Sequence, residues 1–456
     1  MVDDKNIDLY SLKASDFGED FIWGVASSSY QIEGAWNSDG KGKSIWDVFV
    51  HKNRFLIPTV ITREVGDTAC DFYNKYESDI ATIGNLGFKA NRLSLSWPRV
   101  LPDGFGKVNE KGLDFYSRVV DCNLANNLEP WITLYHWDLP QSLQEKGGWQ
   151  NRQIVEWFAE YVDTVTKKLG DRVKNWMIFN EPLSFCAGGY LVGAMAPGII
   201  NPSGFMASVH HVNLCQARGT AVIRENVKDA NVGTTHVIAP VHATGSTSFH
   251  QKAKESVNAL MHRIYLDPNL GLGYPLGLSP LIDLVKKYIK DEDYANIKVD
   301  FDFIGAQYYS TTSAIPVPFL KGIPIKPRPK SGQDSDMLKS PVNPKGLYES
   351  LEFLNSYQKF KNIIVTENGF SSPDKVENGR VYDLRRIDYI RQHIPVVLKA
   401  KQDGLPVTGY MYWSFMDNFE WALGFRPRFG LIHVNFDTLE RTVKDSGWWF
   451  KKFLAN

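Results

Sequence analysis

The stretch RQIVEWFAEYVDTVTKKLGDRVKNWMIFNEP, residues 152–182, reads as one helix feeding one buried strand. Ile154, Trp157, Phe158, Tyr161, Val162 and Val165 recur at helical spacing, with Glu156, Glu160 and Lys167 between them. That pattern predicts an amphipathic helix over 152–169. Asn151 stands where an N-cap belongs and Gly170 where a helix stops. Trp176-Met177-Ile178-Phe179 then forms a short apolar run, and it ends abruptly in Asn180-Glu181-Pro182.

The same alternation extends in both directions. Short β-rich runs occur at 21–26, 90–96, 131–135, 176–179, 232–237, 301–305, 363–366 and 409–413, and helical stretches such as 383–400 lie between them. Strands alternating with helices indicate a parallel sheet. Eight runs are the number a (β/α)8 barrel needs. The expected fold is therefore α/β, a single (β/α)8 barrel over 1–456 with no linker dividing it. A bare βαβ unit needs only about 30 residues, so the βα loops must carry long insertions at the catalytic face. The clearest insertion is 314–332, AIPVPFLKGIPIKPRPKSG, which is locally basic. Its Pro and Gly content predicts a solvated loop without regular structure, with a place in the substrate-entrance rim as the functional alternative.

The chain has 456 residues, 51 Lys+Arg against 51 Asp+Glu, and 43% hydrophobic residues. Such a composition describes an ordered globular protein. Zero net charge argues against a nucleic-acid binder or a polybasic membrane protein. No apolar run approaches the about 18 residues needed to cross a bilayer. The N-terminal MVDDKNIDLY is acidic and carries no apolar leader core, so a soluble, cytoplasmic protein is expected. Cys70, Cys122, Cys186 and Cys215 are widely spaced and read as reduced thiols. Aromatic residues make up 13% of the chain; they suit stacking on sugar rings, but they suit a core equally well.

The chemistry collects at the C-terminal ends of the runs, which converge on one mouth in a barrel. Those ends carry Gln31 and Glu33, Arg92, His136-Trp137-Asp138, Asn180-Glu181, Gln307-Tyr308-Tyr309 and Glu367-Asn368. After the last run come Trp413, Asp417, Asn418, Glu420 and Trp421. Glu181 and Glu367 each directly follow an apolar strand. A pair of carboxylates across a barrel mouth suits glycosidic bond cleavage, and retaining enzymes hold them about 5–5.5 Å apart. On spacing alone, two strand-end glutamates in surface salt bridges explain the pattern as well. Trp97, Trp131 and Trp176 read as core, Trp448-Trp449 as docking the last helix, Glu33 as structural and Asp138 as orienting the His136 loop. The adjacent His210-His211 lack metal-ligand spacing and read as packing or surface residues.

Ile178-Phe179-Asn180-Glu181-Pro182 resembles the T-F-N-E-P acid/base motif of glycoside hydrolase family 1, the β-glucosidase family. Ile364-Val365-Thr366-Glu367-Asn368-Gly369 is similar to its nucleophile motif. Phe21–Gly34, Asn91–Arg99, Tyr135–Pro140 and Asn418–Trp421 resemble further motifs of that family in the same order, so the likeness runs from about residue 16 to the end. The resemblance implies a retaining exo-β-glycosidase that releases β-D-glucose, also accepting galactose or fucose, and needs neither metal nor cofactor. Its partner would be a small β-glycoside or oligosaccharide; oligomeric state stays open. It implies Glu181 as general acid/base and Glu367 as nucleophile. Asn180 would bond the sugar 2-OH, while Gln31, His136, Glu420 and Trp421 would hold the other hydroxyls and Trp413 would lie under the ring. Arg92 and Tyr309 would flank Glu367 and favour its ionised form. Glu181 would keep its proton because it faces that negative charge.

Three positions depart from the family pattern: Gln307 where Asn is usual, Leu183 where Trp is frequent, and Leu423 with Phe425 where Glu and Tyr are common. They bear on the Glu367 surroundings, the leaving-group site and the 6-OH region respectively. Two other readings compete. A 6-phospho-β-glycosidase would have to tolerate Glu420 beside a phosphate. A non-catalytic sugar-binding relative would be expected to lack one of the two carboxylates.

Overall fold

The computed structural model describes residues 12–52 and 59–456. The N-terminal MVDDKNIDLY lies outside the described residues.

The eight runs form eight strands: β1 Ile22–Ala26, β2 Ala90–Ser94, β3 Glu129–Tyr135, β4 Asn175–Asn180, β5 Asn231–Val237, β6 Phe303–Tyr308, β7 Asn362–Asn368 and β8 Val407–Trp413. They close in the order β1-β8-β7-β6-β5-β4-β3-β2, and every neighbouring pair is parallel. The protein is thus an α/β molecule built on a closed eight-stranded TIM barrel. Strands covered by the barrel interior on one side and helices on the other must be apolar on both faces. That requirement explains why the runs stand out in the sequence as continuous apolar segments.

The helix Ile154–Leu169 buries Ile154, Phe158, Tyr161, Val162 and Val165, as the spacing predicts, and Leu169 as well, while Trp157 is only partly buried. Glu156 in its first turn and Lys167 and Lys168 in its last complement the helix dipole. Gly170 ends it, its N–H bonding the Thr166 carbonyl at 2.8 Å. Asn151 is not the N-cap. The helix starts at Ile154, and the Asn151 side chain accepts from the Gln153 N–H at 2.9 Å, one turn earlier.

The floor of the barrel is an apolar plug of Ala90, Trp131, Met177, Phe303, Ile364 and Met411, with Ile22 against it. Trp97 and Trp176 are also fully buried, and Trp97 stacks on Tyr161 at 4.9 Å. Above the plug, Gly305 leaves room for two hydroxyls. A Cβ there would lie 2.6 Å from Thr235 Oγ1 and 2.7 Å from Thr366 Oγ1, which reach from the two flanking strands to bond each other over Gly305.

Two further expectations are corrected. The 314–332 insertion is not devoid of regular structure: Thr312–Ile315 and Ile323–Ile325 pair antiparallel, and Val241–Ala243 pairs with the first of them. Pro324 is tolerated because its strand is at the sheet edge, where no partner needs its missing N–H. At the C-terminus, the helix Asp445–Leu454 docks through Phe450 and Phe453, with Trp449 stacked on Phe453 at 5.2 Å. Trp448 is 47% exposed and takes no part in the docking.

The other structural readings agree with the fold. Glu33 is buried in an ion pair with Arg99 at 2.9 Å and accepts from Tyr116 at 2.7 Å. His210 is buried between Asp293 and Tyr274, and His211 faces the Trp149 carbonyl. The four cysteines are free thiols. Among the described residues, no helix is long and apolar enough to cross a membrane.

Candidate active site

Side chains alternate along a strand. In β7, Ile364 belongs to the barrel floor and Thr366 meets Thr235 in the interior. Strict alternation would therefore turn Glu367 outward. The pairing register slips between Val365 and Glu367 against β6, and between Val365 and Asn368 against β8. Such a bulge re-aims the next side chain, and Glu367 enters the barrel as well. β4 repeats the device. Its register against β5 slips between Met177 and Asn180, so Met177 and Asn180 both face inward while Phe179 packs outside on Phe158.

Glu181 follows in a left-handed backbone conformation, φ +46°. Trp137 and Trp421, on the same cavity, also have positive φ. A non-glycine residue held there costs about 1–3 kcal/mol and persists only where its surroundings enforce it. For Glu181 these are a 2.9 Å bond from its N–H to the Thr235 carbonyl and the fixed φ of Pro182, which opens the helix Pro182–Ala187.

Arg92 organises the centre. It is fully buried, and its Nη1 donates to Glu367 Oε1 at 2.6 Å and to the Thr366 carbonyl at 3.2 Å. Its Nη2 donates to Asn180 Oδ1 at 2.5 Å, and its Nε to Thr133 Oγ1 at 3.2 Å. Tyr309 donates its hydroxyl to Glu367 Oε2 at 2.6 Å. Both oxygens of Glu367 are therefore held. Among the described residues, the Glu181 carboxyl has a single donor, Ser184, whose Oγ lies 2.6 Å from Oε2.

The electrostatics follow from this contrast. Burial pushes the Glu367 carboxyl above the usual range, opposed by the Arg92 charge and the hydrogen bonds from Tyr309 and Arg92. Burial therefore outweighs the partners that the sequence reading took as decisive. Glu181 is pushed up to about 8, first by burial and then by the negative charge of Glu367. Glu420 is likewise pushed up to about 8, by burial and then by Glu367. Since Arg92 touches Glu367 and not Glu181, Glu367 loses its proton first.

These groups border one cavity of about 380 Å³, a size suited to a small ligand. Of the residues singled out from sequence, His136, Asn180, Glu181, Tyr309, Glu367, Trp413, Glu420 and Trp421 line it. Arg92 and Gln31 stand behind the wall. Gln31 is fully buried and donates its amide to Asn418 Oδ1 at 2.9 Å and to Glu420 Oε2 at 3.2 Å. His136 lies within about 6 Å of both Trp413 and Trp421, its ring inclined 25° and 21° to theirs. Burial, then the Arg92 charge, keeps it neutral, well below the usual histidine range. Asp138 is buried, and burial pushes it up to about 8.

Some contributors had no role in the sequence reading. Trp137 lines the cavity, packs on Trp421 at 4.6 Å and donates Nε1–H to the Asn180 carbonyl at 2.9 Å; its place between His136 and Asp138 was the available signal. Phe429, Leu338, Ile325 and Lys326 also border the cavity, so the 314–332 insertion does reach the rim. Gln307, the departure beside Glu367, donates to Asn180 Oδ1 at 2.7 Å. Leu183 packs against the core and does not line the cavity. Phe425 packs between Phe419 and Phe436.

Carboxylates and aromatic rings thus meet in one cavity at the C-terminal mouth of the TIM barrel. Residues 13–456 match Glycosyl hydrolase family 1, and the chain belongs to that family. It is 40% identical to a 1,4-β-D-glucan glucohydrolase of Thermotoga neapolitana, across 96% of this chain and 98% of the relative. It is 39% identical to β-glucosidase A of Thermotoga maritima, across 98% and 99%. A Thermotoga maritima family 1 glycoside hydrolase, solved in complex with a cyclophellitol-analogue transition-state mimic, superposes with a TM-score of 0.90 at 38% identity, covering 96% of this chain and 98% of that one.

Proposed function

We propose that this protein is a retaining exo-β-glycosidase that releases terminal non-reducing β-D-glucosyl residues, and also β-D-galactosyl and β-D-fucosyl residues, by double displacement. The observation that carries the reading is the unequal treatment of two carboxylates on one cavity. Glu367 has Arg92 and Tyr309 on its two oxygens; Glu181 has Ser184 on one of its own, and burial with the charge of Glu367 pushes it up to about 8.

In the first step Glu367 attacks the anomeric carbon as the carboxylate. Glu181 gives its proton to the departing glycosidic oxygen, and a glycosyl ester of Glu367 forms. The negative charge of Glu367 is then gone, and with it one cause of the high proton affinity of Glu181. Glu181, now ionised, takes a proton from water, the water attacks the anomeric carbon, and Glu367 is released with net retention. Asn180 has its oxygen occupied by Arg92 and Gln307. Its amide N–H groups are what remain for the sugar 2-OH, and Arg92 thus couples the nucleophile to that contact. His136, Glu420 and Trp421 serve the remaining hydroxyls, Gln31 orients Glu420 from behind, and Trp413 supports the ring. Glu420 also speaks against a 6-phosphate: it brings no positive charge to meet that dianion, and a dianion beside it would oppose its ionisation further.

Initial rates on aryl β-D-glucoside, galactoside, fucoside and glucoside 6-phosphate test the sugar. Proton NMR of the first product tests the stereochemistry. Turnover of the unphosphorylated glycosides with the β-anomer first is expected, and Glu367→Gln abolishes it. The α-anomer first, or turnover of the phosphorylated glucoside alone, refutes the reading.

A further inference from the structure

We infer that Ser184 is a positioning residue for the acid/base carboxylate: its hydroxyl occupies one oxygen of Glu181 and thereby directs the acidic proton to the other. The inference rests on the role proposed above for Glu181.

The geometry is local and enforced. Glu181 is the residue before the helix Pro182–Ala187, and Ser184 lies one turn into it. The Ser184 N–H bonds the Glu181 carbonyl at 2.9 Å, and its Oγ reaches back to Glu181 Oε2 at 2.6 Å. One residue therefore grips both the main chain and the side chain of Glu181. A hydroxyl that donates to Oε2 makes that oxygen the poorer site for a proton, so the neutral acid carries its proton on Oε1. Among the described residues none hydrogen-bonds Oε1, and Glu181 lines the cavity. The proton is thereby presented to the leaving oxygen before substrate arrives, which is the preorganisation general acid catalysis needs.

The same bond stabilises the carboxylate that must act as base in the second step. The other groups facing Glu181 are Glu367 from β7 and Glu420 from the loop after β8, which raise its proton affinity, and Arg92 from β2, which lowers it. The Tyr309 hydroxyl is committed to Glu367, and His136 is neutral. Among the described residues, Ser184 is the hydroxyl that lowers it by direct contact.

Ser184→Ala and Ser184→Thr test this, alongside Glu181→Gln. A hydrogen bond to a charged group, converted to proton affinity, predicts that Ser184→Ala moves the alkaline limb of kcat/KM up by about one pH unit. Ser184→Thr keeps the hydroxyl and leaves the limb in place. For Ser184→Ala at low pH, kcat/KM on an alkyl β-glucoside, whose leaving group needs the proton, falls about three- to tenfold. On 2,4-dinitrophenyl β-glucoside, which leaves unaided, it holds. Superimposable pH profiles of Ser184→Ala and the parent, or equal losses on both leaving groups, overturn the inference while leaving the role of Glu181 intact. Full alkyl-glucosidase activity in Glu181→Gln overturns the assignment of Glu181 and this inference with it.

Discussion

Replacing Arg92 by Met exposes how the site balances burial against charge. Arg92 is fully buried and donates to Glu367, Asn180, Thr366 and Thr133. Met fills much of its volume but supplies neither charge nor donors. Glu367 is already pushed up by burial, and the Arg92 charge is the largest influence opposing that. A hydrogen bond to a charged partner contributes about 1.5–3 kcal/mol, and each pH unit corresponds to about 1.36 kcal/mol. Glu367 should therefore hold its proton about one to two pH units higher in the variant. Asn180 loses one of the two donors that fix its oxygen, so the 2-OH contact loosens as well. Together these amount to about 3–5 kcal/mol, near the cost of breaking a buried ion pair. That is about a 10²- to 10⁴-fold loss in kcat/KM. The assay is kcat/KM for an aryl β-glucoside from pH 4.5 to 8.5, with circular dichroism to confirm folding. The acid limb should move up and the bell should narrow from that side, with Arg92→Lys falling between parent and Met. A loss under tenfold with an unmoved acid limb would refute the argument that Arg92 sets the ionisation of the nucleophile.

Three further outcomes follow from particular contacts. The proton affinity of Glu420 is raised on folding, so its contribution to stability is complete below the ordinary glutamate range and is lost as pH rises towards about 8; Glu420→Gln should show a smaller fall in Tm between pH 5 and pH 8 than the parent, and parallel falls would count against a buried ionisation. Gly305→Ala drives a methyl to 2.6 Å from Thr235 Oγ1 and 2.7 Å from Thr366 Oγ1, so denaturant unfolding should report a loss of about 1–3 kcal/mol; an unchanged midpoint would mean that the two hydroxyls yield. Leu183 packs against the core without lining the cavity, so Leu183→Trp should leave the ratio of kcat/KM on cellotriose to that on an aryl glucoside within about twofold; a three- to tenfold rise would place that residue in the substrate path.

The barrel was legible in the sequence because each strand is buried on both faces and each helix on one. A continuous apolar run such as Met177–Phe179 and a helical stripe such as Ile154–Leu169 are direct consequences of that burial. The carboxylates were legible because Glu181 and Glu367 interrupt such runs where a barrel opens. What no linear pattern shows is which way they point. Period-two alternation places Thr366 inside and Glu367 outside, and the inter-strand slip at Val365 is what brings both inward. Pro324 argued against a strand, yet the sheet edge tolerates it. Trp448 and Trp449 are equivalent as letters, and only the helix docking separates the exposed ring from the packed one.

Residue type and order thus determined the strand and helix inventory, the family motifs and the two carboxylates, because those depend on local burial and spacing. Only the tertiary structure decided that burial, more than charge, raises Glu181, that Gln31 and Arg92 stand behind the cavity wall, and that the Ser184 hydroxyl meets Glu181. Each of these depends on distances between atoms far apart in the chain or on the direction of a single side chain, and neither is encoded in periodicity.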